Sequence, residues 1–115
     1  MDYPYFRARI IVIGSKFLGK EHTQRALDIF VDCCKKSDLV AGFDLINHED
    51  FSFPLLKFVP DILKTKNAQN HANGVDCFLL SGETHSRYNE NLVDAILLES
   101  KRVSHGLQLS LQPHL

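Results

Sequence analysis

Short runs of β-branched and other apolar residues recur along the chain at intervals of about 25 to 35 residues, close to the length of a strand followed by a crossover helix. The first two runs are almost continuously apolar, which is typical of strands covered on both faces of a parallel sheet. The pattern therefore predicts four strands, at residues 10–14, 39–45, 75–80 and 102–106.

Between these runs, the apolar residues adopt the spacing of amphipathic helices. The first helix carries an apolar stripe on one side and charged residues on the other; the stripe comprises Leu27, Phe30, Val31 and Cys34. A second helix is predicted to begin at Pro60, because proline is tolerated at the first helical position, and to bury Ile62 and Leu63. The residues before it, 53–56, form a turn or a short separate helix.

A third helix is predicted after Asn89, whose side chain suits the N-cap position. Its apolar positions are Leu92, Val93, Ile96 and Leu97. The resulting order of elements, β-α-β-α-β-α-β, predicts an α/β fold with a parallel sheet and right-handed crossover connections.

Composition places the chain among ordinary globular domains. Its 115 residues are 44% hydrophobic, and 13 Lys and Arg nearly balance 14 Asp and Glu. A near-neutral chain without a basic block argues against nucleic acid as a partner, since such binders neutralise phosphates. No apolar run approaches the roughly 18 residues of a membrane span, so no membrane partner is expected. No signal peptide is recognised, which makes the cytoplasm the default location.

The cysteines and histidines do not predict a metal site or a disulfide framework. There are three cysteines, two of them adjacent at Cys33 and Cys34, and no Cys-x-x-Cys pair. Both adjacent thiols fall on or beside the first helical stripe, where they are expected to pack as small hydrophobic groups. The six histidines lack His-x-His, His-x-x-x-His and His-Glu-x-x-His spacing, so no metal site built within this chain is expected.

Polar clusters follow three of the predicted strands, at residues 47–50, 81–85 and 104–106. In parallel α/β proteins this edge of the sheet carries the chemistry. Glu83 is a candidate general acid or base, or else a solvated loop carboxylate. His105 is a candidate base or ligand, or else an ordinary hydrogen-bonded histidine. Three consecutive residues cannot all face one ion, so a charged rim is the favoured interpretation of residues 48–50.

The same segments, in this order and spacing, resemble the adenosine deaminase family, with the greatest similarity to its secreted branch, the adenosine deaminase-related growth factors. The resemblance is carried by VAGFDL at 40–45, HED at 48–50, SGET at 81–84, and NLVDA at 91–95 leading to KRVSHG at 101–106. It extends over roughly residues 7–113 and implies that residues 1–115 are one partial barrel domain.

The resemblance implies a partial (β/α)₈ barrel of about four consecutive β/α units, corresponding to strands three to six of the family. In that family a zinc-bound water attacks C6 of adenosine and releases inosine and ammonia. Glu83 corresponds to the proton donor for purine N1, and His105 to the base at the attacking hydroxide. Asn47 and Gly82 correspond to substrate-binding positions. The family's zinc ligands are a His-x-His pair after the first strand, a histidine after the fifth and an aspartate after the eighth.

The departures from the family concern the metal. Leu80 occupies the position of the fifth-strand zinc histidine and has no lone pair to offer, while the other ligands belong to strands outside these four units. Asn47 also replaces a glycine that contacts substrate. We therefore expect a deaminase-like fragment that holds no zinc and is inactive alone. The alternative is a non-catalytic remnant that binds a nucleoside or a partner protein.

An open half-barrel has further consequences for association and location. Unpaired sheet edges template association, and Ile11, Ile13 and Phe78 would lack an opposing layer, so we expect a marginally stable chain or self-association. If the pattern of the secreted branch holds, the location is extracellular rather than cytoplasmic.

Overall fold

The computed structural model describes residues 3–68 and 76–115, in which strands and helices alternate. The strands are β1 (Ile10–Ser15), β2 (Val40–Ile46), β3 (Leu80–Ser81) and β4 (Ser104–His105). The α-helices are α1 (Gly19–Lys36), α2 (Val59–Ala68) and α3 (Asn91–Leu97), and three 3₁₀ segments lie at Lys16–Leu18, Leu55–Phe58 and Leu107–Ser110. The predicted α/β class and order of elements are confirmed. No helix in the described ranges is long and apolar enough to cross a membrane.

The strands form two parallel pairs, β1 with β2 and β3 with β4. One parallel bridge between Phe43 and Cys77 links the pairs. At this bridge the Phe43 N–H donates to the Asp76 carbonyl, and the Phe78 N–H donates to the Phe43 carbonyl, each at 2.9 Å. All four carboxyl ends therefore lie along the same side of the molecule.

The regular strands in the second half of the chain are shorter than predicted. Val75, at the start of the predicted third strand, lies outside the described residues. Side chains replace part of the expected ladder, since the Leu80 N–H donates to Asp44 Oδ1 at 2.9 Å and the Leu79 N–H donates to Ser100 Oγ at 3.0 Å. These bonds satisfy backbone donors without extending the regular strand.

Burial distinguishes the two longest strands. β2 is buried at four consecutive positions, residues 42–45, which confirms a strand covered on both faces. The same prediction is wrong for β1, where Ile13 remains 54% exposed. A Cβ on Gly14 would contact Ala26 of α1, so alternate residues of β1 face the helix and Ile13 points away from it. Among the described residues, no layer covers the Ile13 side chain.

The hydrophobic core lies between β2, the segment before β3 and the helices. On α1 the predicted stripe is confirmed, because Leu27 and Phe30 are buried and Val31 and Cys34 are partly buried against the core. The Phe30 ring lies 6.0 Å from the Phe43 ring between centroids, which joins the helix to the middle of β2. Other core side chains are Leu45, Leu55, Phe58, Ile62 and Leu79.

The helix α2 begins one residue before the predicted start, with Pro60 in its first turn. Ile62 is buried as predicted, but Leu63 is 43% exposed, and the second buried position of the helix is Thr65. Residues three apart share a face of a helix whereas neighbours do not, so Leu63 faces away from the core.

The helix α3 differs from the prediction in its N-cap and in its buried face. The N-cap residue is Glu90, whose side chain makes no capping bond, whereas Asn89 lies one residue earlier and its Oδ1 accepts the Asn91 N–H at 2.9 Å. The buried apolar positions on and just after the helix are Leu92, Ala95 and Leu98, whereas Ile96 and Leu97 are exposed. The buried residues are spaced three apart, so one narrow face of the helix packs against the core. The prediction that Ile96 and Leu97 belong to this face is wrong.

The three thiols differ in environment, which predicts a fixed order of alkylation. Burial raises the pKa of Cys77 to about 11 and also raises the pKa of Cys34. Because the thiolate is the nucleophile, we expect iodoacetamide at about pH 8 to modify Cys33 first and Cys77 only after unfolding. Peptide mass spectrometry over time measures this order, and urea-unfolded chain, in which all three sites react, is the control. Fast alkylation of Cys77 in the folded chain would contradict the expectation.

Candidate functional site at the carboxyl ends of the strands

The structure brings the predicted site residues to one edge of the sheet. Asn47 follows β2, Gly82 and Glu83 follow β3, and His105 ends β4. His105 Nε2 lies 3.9 Å from Glu83 Oε1, and the two side chains are 39% and 36% exposed. This pair is therefore close enough to act on one ligand and open enough to reach it.

The backbone turns sharply at each of these strand ends. Asn47, Gly82 and His105 have φ of 98°, 71° and 78°, in the left-handed region. For residues other than glycine, such a conformation persists where surrounding contacts hold it, and it is common at functional sites. Asn47 Nδ2 donates to Ser15 Oγ, which ties the end of β2 to the end of β1.

Glu49 corrects the interpretation of residues 48–50 as a charged rim. His48 and Asp50 are exposed as expected, but Glu49 is only 4% exposed. Its Oε1 accepts the Gly82 N–H at 2.9 Å, and its Oε2 accepts the Glu83 N–H at 2.7 Å. Because the chain bends at Asn47, the Glu49 carboxylate lies against the loop after β3. There it binds the backbone N–H of Glu83, the candidate catalytic residue.

A second carboxylate, Asp44, lies within β2 and is also buried. Its Oδ1 accepts the Leu80 N–H, and the nearby charges of Lys16 and Arg102 favour its ionised form. Burial outweighs these effects and raises the pKa of Asp44 above its usual range. Asp44 therefore links β2 to β3 from inside the sheet.

Lys16 is a functional candidate that sequence analysis missed. It follows β1, it is completely buried, and among the described residues its Nζ has no hydrogen-bond partner. Burial lowers the pKa of this ammonium, while attraction to Glu49, Asp44 and Glu83 works in the opposite direction. Lys16 is thus a buried cation whose charge is felt by three carboxylates.

Neither Glu49 nor Lys16 carries a sequence signal that separates it from a surface charge. The backbone donors to Glu49 lie 33 and 34 residues further along the chain, and Asn91, another donor, lies 42 residues away. A charged residue at the end of a strand is ordinarily solvated. Contacts between distant segments were needed to identify both residues.

The described residues at the strand ends do not compose a zinc site. Leu80 lies in β3 at the position where a histidine ligand was expected, and its hydrocarbon side chain offers no electron pair. Across residues 3–68 and 76–115, no group of three or more His, Cys, Asp or Glu side chains is placed to hold a metal ion. Glu83 and His105 supply two donor groups, fewer than the three protein ligands of a typical catalytic zinc centre.

A cavity of about 310 Å³ adjoins Glu49, between the loop after β2 and the start of α3. Its lining includes the carboxylates of Glu49, Asp50, Glu90 and Asp94, and none of the described residues that line it is basic. Burial and then the charge of Glu90 raise the pKa of Asp94. This surface disfavours an anionic ligand.

The raised pKa of Asp44 predicts how stability changes with pH. Because the folded chain keeps this proton to higher pH than the unfolded chain, folding should weaken as pH rises from about 4 through the folded pKa. Asp44→Asn keeps an oxygen for the Leu80 N–H and removes the charge. We expect the variant to gain stability relative to the parent as pH rises from about 4 to about 7.

Urea unfolding at a series of pH values measures this difference. Replacing the second carboxylate oxygen by an amide nitrogen changes the free energy of unfolding by the same amount at every pH. It therefore shifts the plot of stability against pH without changing its slope. A difference between variant and parent that stays constant with pH would show that Asp44 ionises at the same pH in both states.

Comparisons with known proteins point to one family. The chain is 34% identical over 116 residues to an adenosine deaminase of Aedes albopictus, covering 96% of this chain and 21% of that protein. It is 38% identical over 81 residues to an adenosine deaminase of Lutzomyia longipalpis, covering 69% and 15%. It is 34% identical over 101 residues to the adenosine deaminase 2 of Sus scrofa, covering 84% and 18%. No family model matches the chain.

The chain belongs to the adenosine deaminase family, as a partial member, and the resemblance seen in the sequence is confirmed. The chain spans about a fifth or less of the length of the curated relatives it matches.

Proposed function

We propose that the chain forms part of an adenosine deaminase-like barrel, namely four consecutive β/α units that correspond to strands three to six. The parallel pairing of β1 with β2 and of β3 with β4, and the bridge between the pairs, support this arrangement. In it, Glu83 takes the position of the proton donor to the purine and His105 that of the base on the hydroxide side. Asn47 and Gly82 line the substrate position.

The reaction of the family would be hydrolysis of adenosine to inosine and ammonia. Zinc, when bound, supplies an activated water for that reaction. We propose that this chain does not catalyse it alone, and the observation that carries the proposal is Leu80 in β3. A histidine three residues before Glu83 would place an imidazole beside the candidate proton donor, whereas leucine leaves the position without a ligand.

The activity that remains is binding of an uncharged purine nucleoside. The Glu83–His105 pair offers an acceptor and a ring nitrogen 3.9 Å apart, which suits the polar edge of a purine. The acidic cavity beside Glu49 is not lined by Glu83 or His105, but its carboxylates make the neighbourhood of the pair negative and so favour a nucleoside over a nucleotide.

Two assays on the purified chain test this function. Adenosine with added zinc should yield no inosine, and Leu80→His should not restore activity, since it adds one ligand of a larger set. Zinc-dependent formation of inosine by the parent chain would refute the inactive interpretation.

Calorimetric titration should detect binding of adenosine to the parent chain. The affinity should fall in Glu83→Gln, and adenosine monophosphate should bind the parent chain more weakly than adenosine does. Equal binding of the nucleotide, or none of either, would refute the nucleoside site.

A partner-binding role is the second candidate, and the edge of β1 favours it. Among the described residues, β1 has a strand neighbour on one side only, and Ile13 is exposed beside that free edge. We propose that copies of the chain associate through this edge. Sedimentation velocity should show a mass that rises with concentration, and Ile13→Lys should reduce the rise. A concentration-independent monomer with a sharp cooperative unfolding transition would contradict association.

The location proposed for the protein follows the secreted branch that the chain resembles, and is extracellular. Detection of the protein in the medium of the cells that express it, and not in their lysate, is the corresponding test.

A further inference from the structure

Three elements meet at the Glu49 carboxylate. Its oxygens accept the N–H groups of Gly82 at 2.9 Å and Glu83 at 2.7 Å, and Oε1 also accepts Asn91 Nδ2 at 3.1 Å. Acceptance of N–H bonds by both oxygens is the pattern of a carboxylate rather than a carboxylic acid. Charge-assisted bonds of this kind are shorter and stronger than neutral ones, so they constrain the loop after β3.

The geometry of this loop explains why it needs an anion. Gly82 has φ of 71°, and a Cβ there would lie 3.3 Å from the Cα of Gly106. Successive N–H groups in such a turn point into one concavity, which in other proteins binds phosphate or another anion. Here Glu49 fills the concavity, so the chain supplies its own anion and no external phosphate is needed.

We propose that Glu49 is a positioning residue for Glu83, and that Lys16 supplies the buried positive charge that keeps this carboxylate in place. The inference rests on the proposed function, because Glu83 needs a fixed direction only if it acts on a ligand. By holding the two N–H groups, Glu49 sets the path of the backbone from which the Glu83 side chain reaches toward His105.

The burial of Lys16 supports its part in this arrangement. A buried carboxylate is costly unless it is paired. Lys16 is completely buried, and it follows β1 at the same edge of the sheet as the loop that carries Glu49, because Ser15 pairs with Ile46 at the end of the parallel ladder. The carboxylates that attract its ammonium are Glu49 first, then Asp44 and Glu83. The Nζ forms no hydrogen bond among the described residues, so its contribution to Glu49 is electrostatic.

Hydrogen exchange of individual amides in the full chain tests the positioning directly. Glu49→Gln keeps the size of the side chain but turns an NH₂ group toward an N–H, and we expect Gly82 and Glu83 to lose protection about tenfold. The amides of β2 should keep theirs, which shows that the fold persists. Asp50→Asn is the matched control, because that neighbouring carboxylate bonds the side chains of Thr84 and Asn89. Unchanged protection in Glu49→Gln overturns the inference.

The charge of Lys16 is tested by a pair of variants. Lys16→Met should lower the protection of the Gly82 and Glu83 amides, whereas Lys16→Arg, which retains the positive charge, should keep most of it. If Lys16 only filled space, the charged and the uncharged variant would not differ in this way. If Lys16→Met keeps full protection, the countercharge role is refuted.

A titration of the unmodified chain keeps the inference testable should these variants fail to fold. When the Glu49 carboxyl carbon titrates in the nuclear magnetic resonance spectrum, the Gly82 and Glu83 amide protons should shift with the same midpoint. The titratable groups around this loop are followed in parallel, namely Lys16, Asp44, Asp50, Glu83 and His105. Amide shifts that follow one of those groups instead would overturn the inference.

Adenosine affinity separates this inference from the proposed function. If the parent chain binds adenosine, Glu49→Gln should weaken binding about tenfold, and adding Glu83→Gln should cost little more, because the two residues act as one unit. If the parent chain does not bind adenosine while the amides respond as expected, the nucleoside site is refuted and the positioning role stands. Additive losses in the double variant would refute the coupling between Glu49 and Glu83.

Discussion

Gly42→Ala is expected to destabilise the fold by about 3 kcal/mol, the upper range for an overpacked site. A Cβ at this position would lie 2.3 Å from the Asp76 carbonyl oxygen and 2.3 Å from Phe78 Cε2. The aromatic ring has some freedom to turn, but the carbonyl oxygen already accepts the Phe43 N–H. Moving it breaks the bridge between the two strand pairs.

Urea denaturation at neutral pH measures the loss, and Gly14→Ala is the matched control. The same added methyl group at Gly14 would meet side-chain atoms, at 3.0 to 3.3 Å, that have room to give way. A smaller loss is expected there. Equal destabilisation by the two variants would show that the bridge at Phe43 contributes nothing particular to the fold.

Asn91→Ala is expected to cost about 2 to 3 kcal/mol, because it leaves the buried Leu55 N–H without its acceptor and removes one of the donors to the buried Glu49 carboxylate. Asn91 is only 2% exposed. Its Oδ1 accepts the Leu55 N–H at 2.8 Å, and its Nδ2 donates to Glu49 at 3.1 Å. The substitution therefore leaves the Leu55 N–H buried without a partner, while Glu49 Oε1 keeps only the Gly82 N–H as its donor among the described residues.

Asn89→Ala provides the comparison, since it removes an amide of the same size two residues earlier. Asn89 is only half-buried and its Oδ1 accepts the Asn91 N–H, so a loss of about 1 kcal/mol is expected, as for an ordinary hydrogen bond. Thermal unfolding of the two variants under identical conditions measures the difference. If Asn89→Ala proves the more damaging change, the network around Glu49 is not a major source of stability.

The two networks meet at the loop after β3, which carries Glu83. Gly42 allows β2 to approach the segment before β3, while Asn91 and Glu49 hold the loop from the side of α3. The candidate site therefore depends on contacts that are spread over the whole described structure. Damage at either network is expected to reach the Glu83–His105 pair.

Hydrophobic periodicity sufficed for the elements whose pattern is long and local. The stripe of α1 and the continuous apolar run of β2 predicted both burial and position, because each reflects repeated contact with one core. The same reasoning failed at Leu63, Ile96 and Leu97, which are apolar but exposed. In a short helix, two adjacent apolar residues leave the buried face ambiguous by about a third of a turn.

In the candidate site, too, some residues were predicted from the sequence and others were not. Glu83 and His105 were predicted from a family resemblance, and folding places them 3.9 Å apart. Their assigned roles remain predictions.

Sequence patterns were enough to predict the alternation of strands and helices and the family, since both reside in residue identity and local order. The folded arrangement was required to distinguish Glu49 from the exposed charges on either side of it, and to reveal Lys16 as a buried cation. The reason is physical: whether a charge is solvated or enclosed depends on which distant backbone groups surround it, and local spacing does not encode those groups.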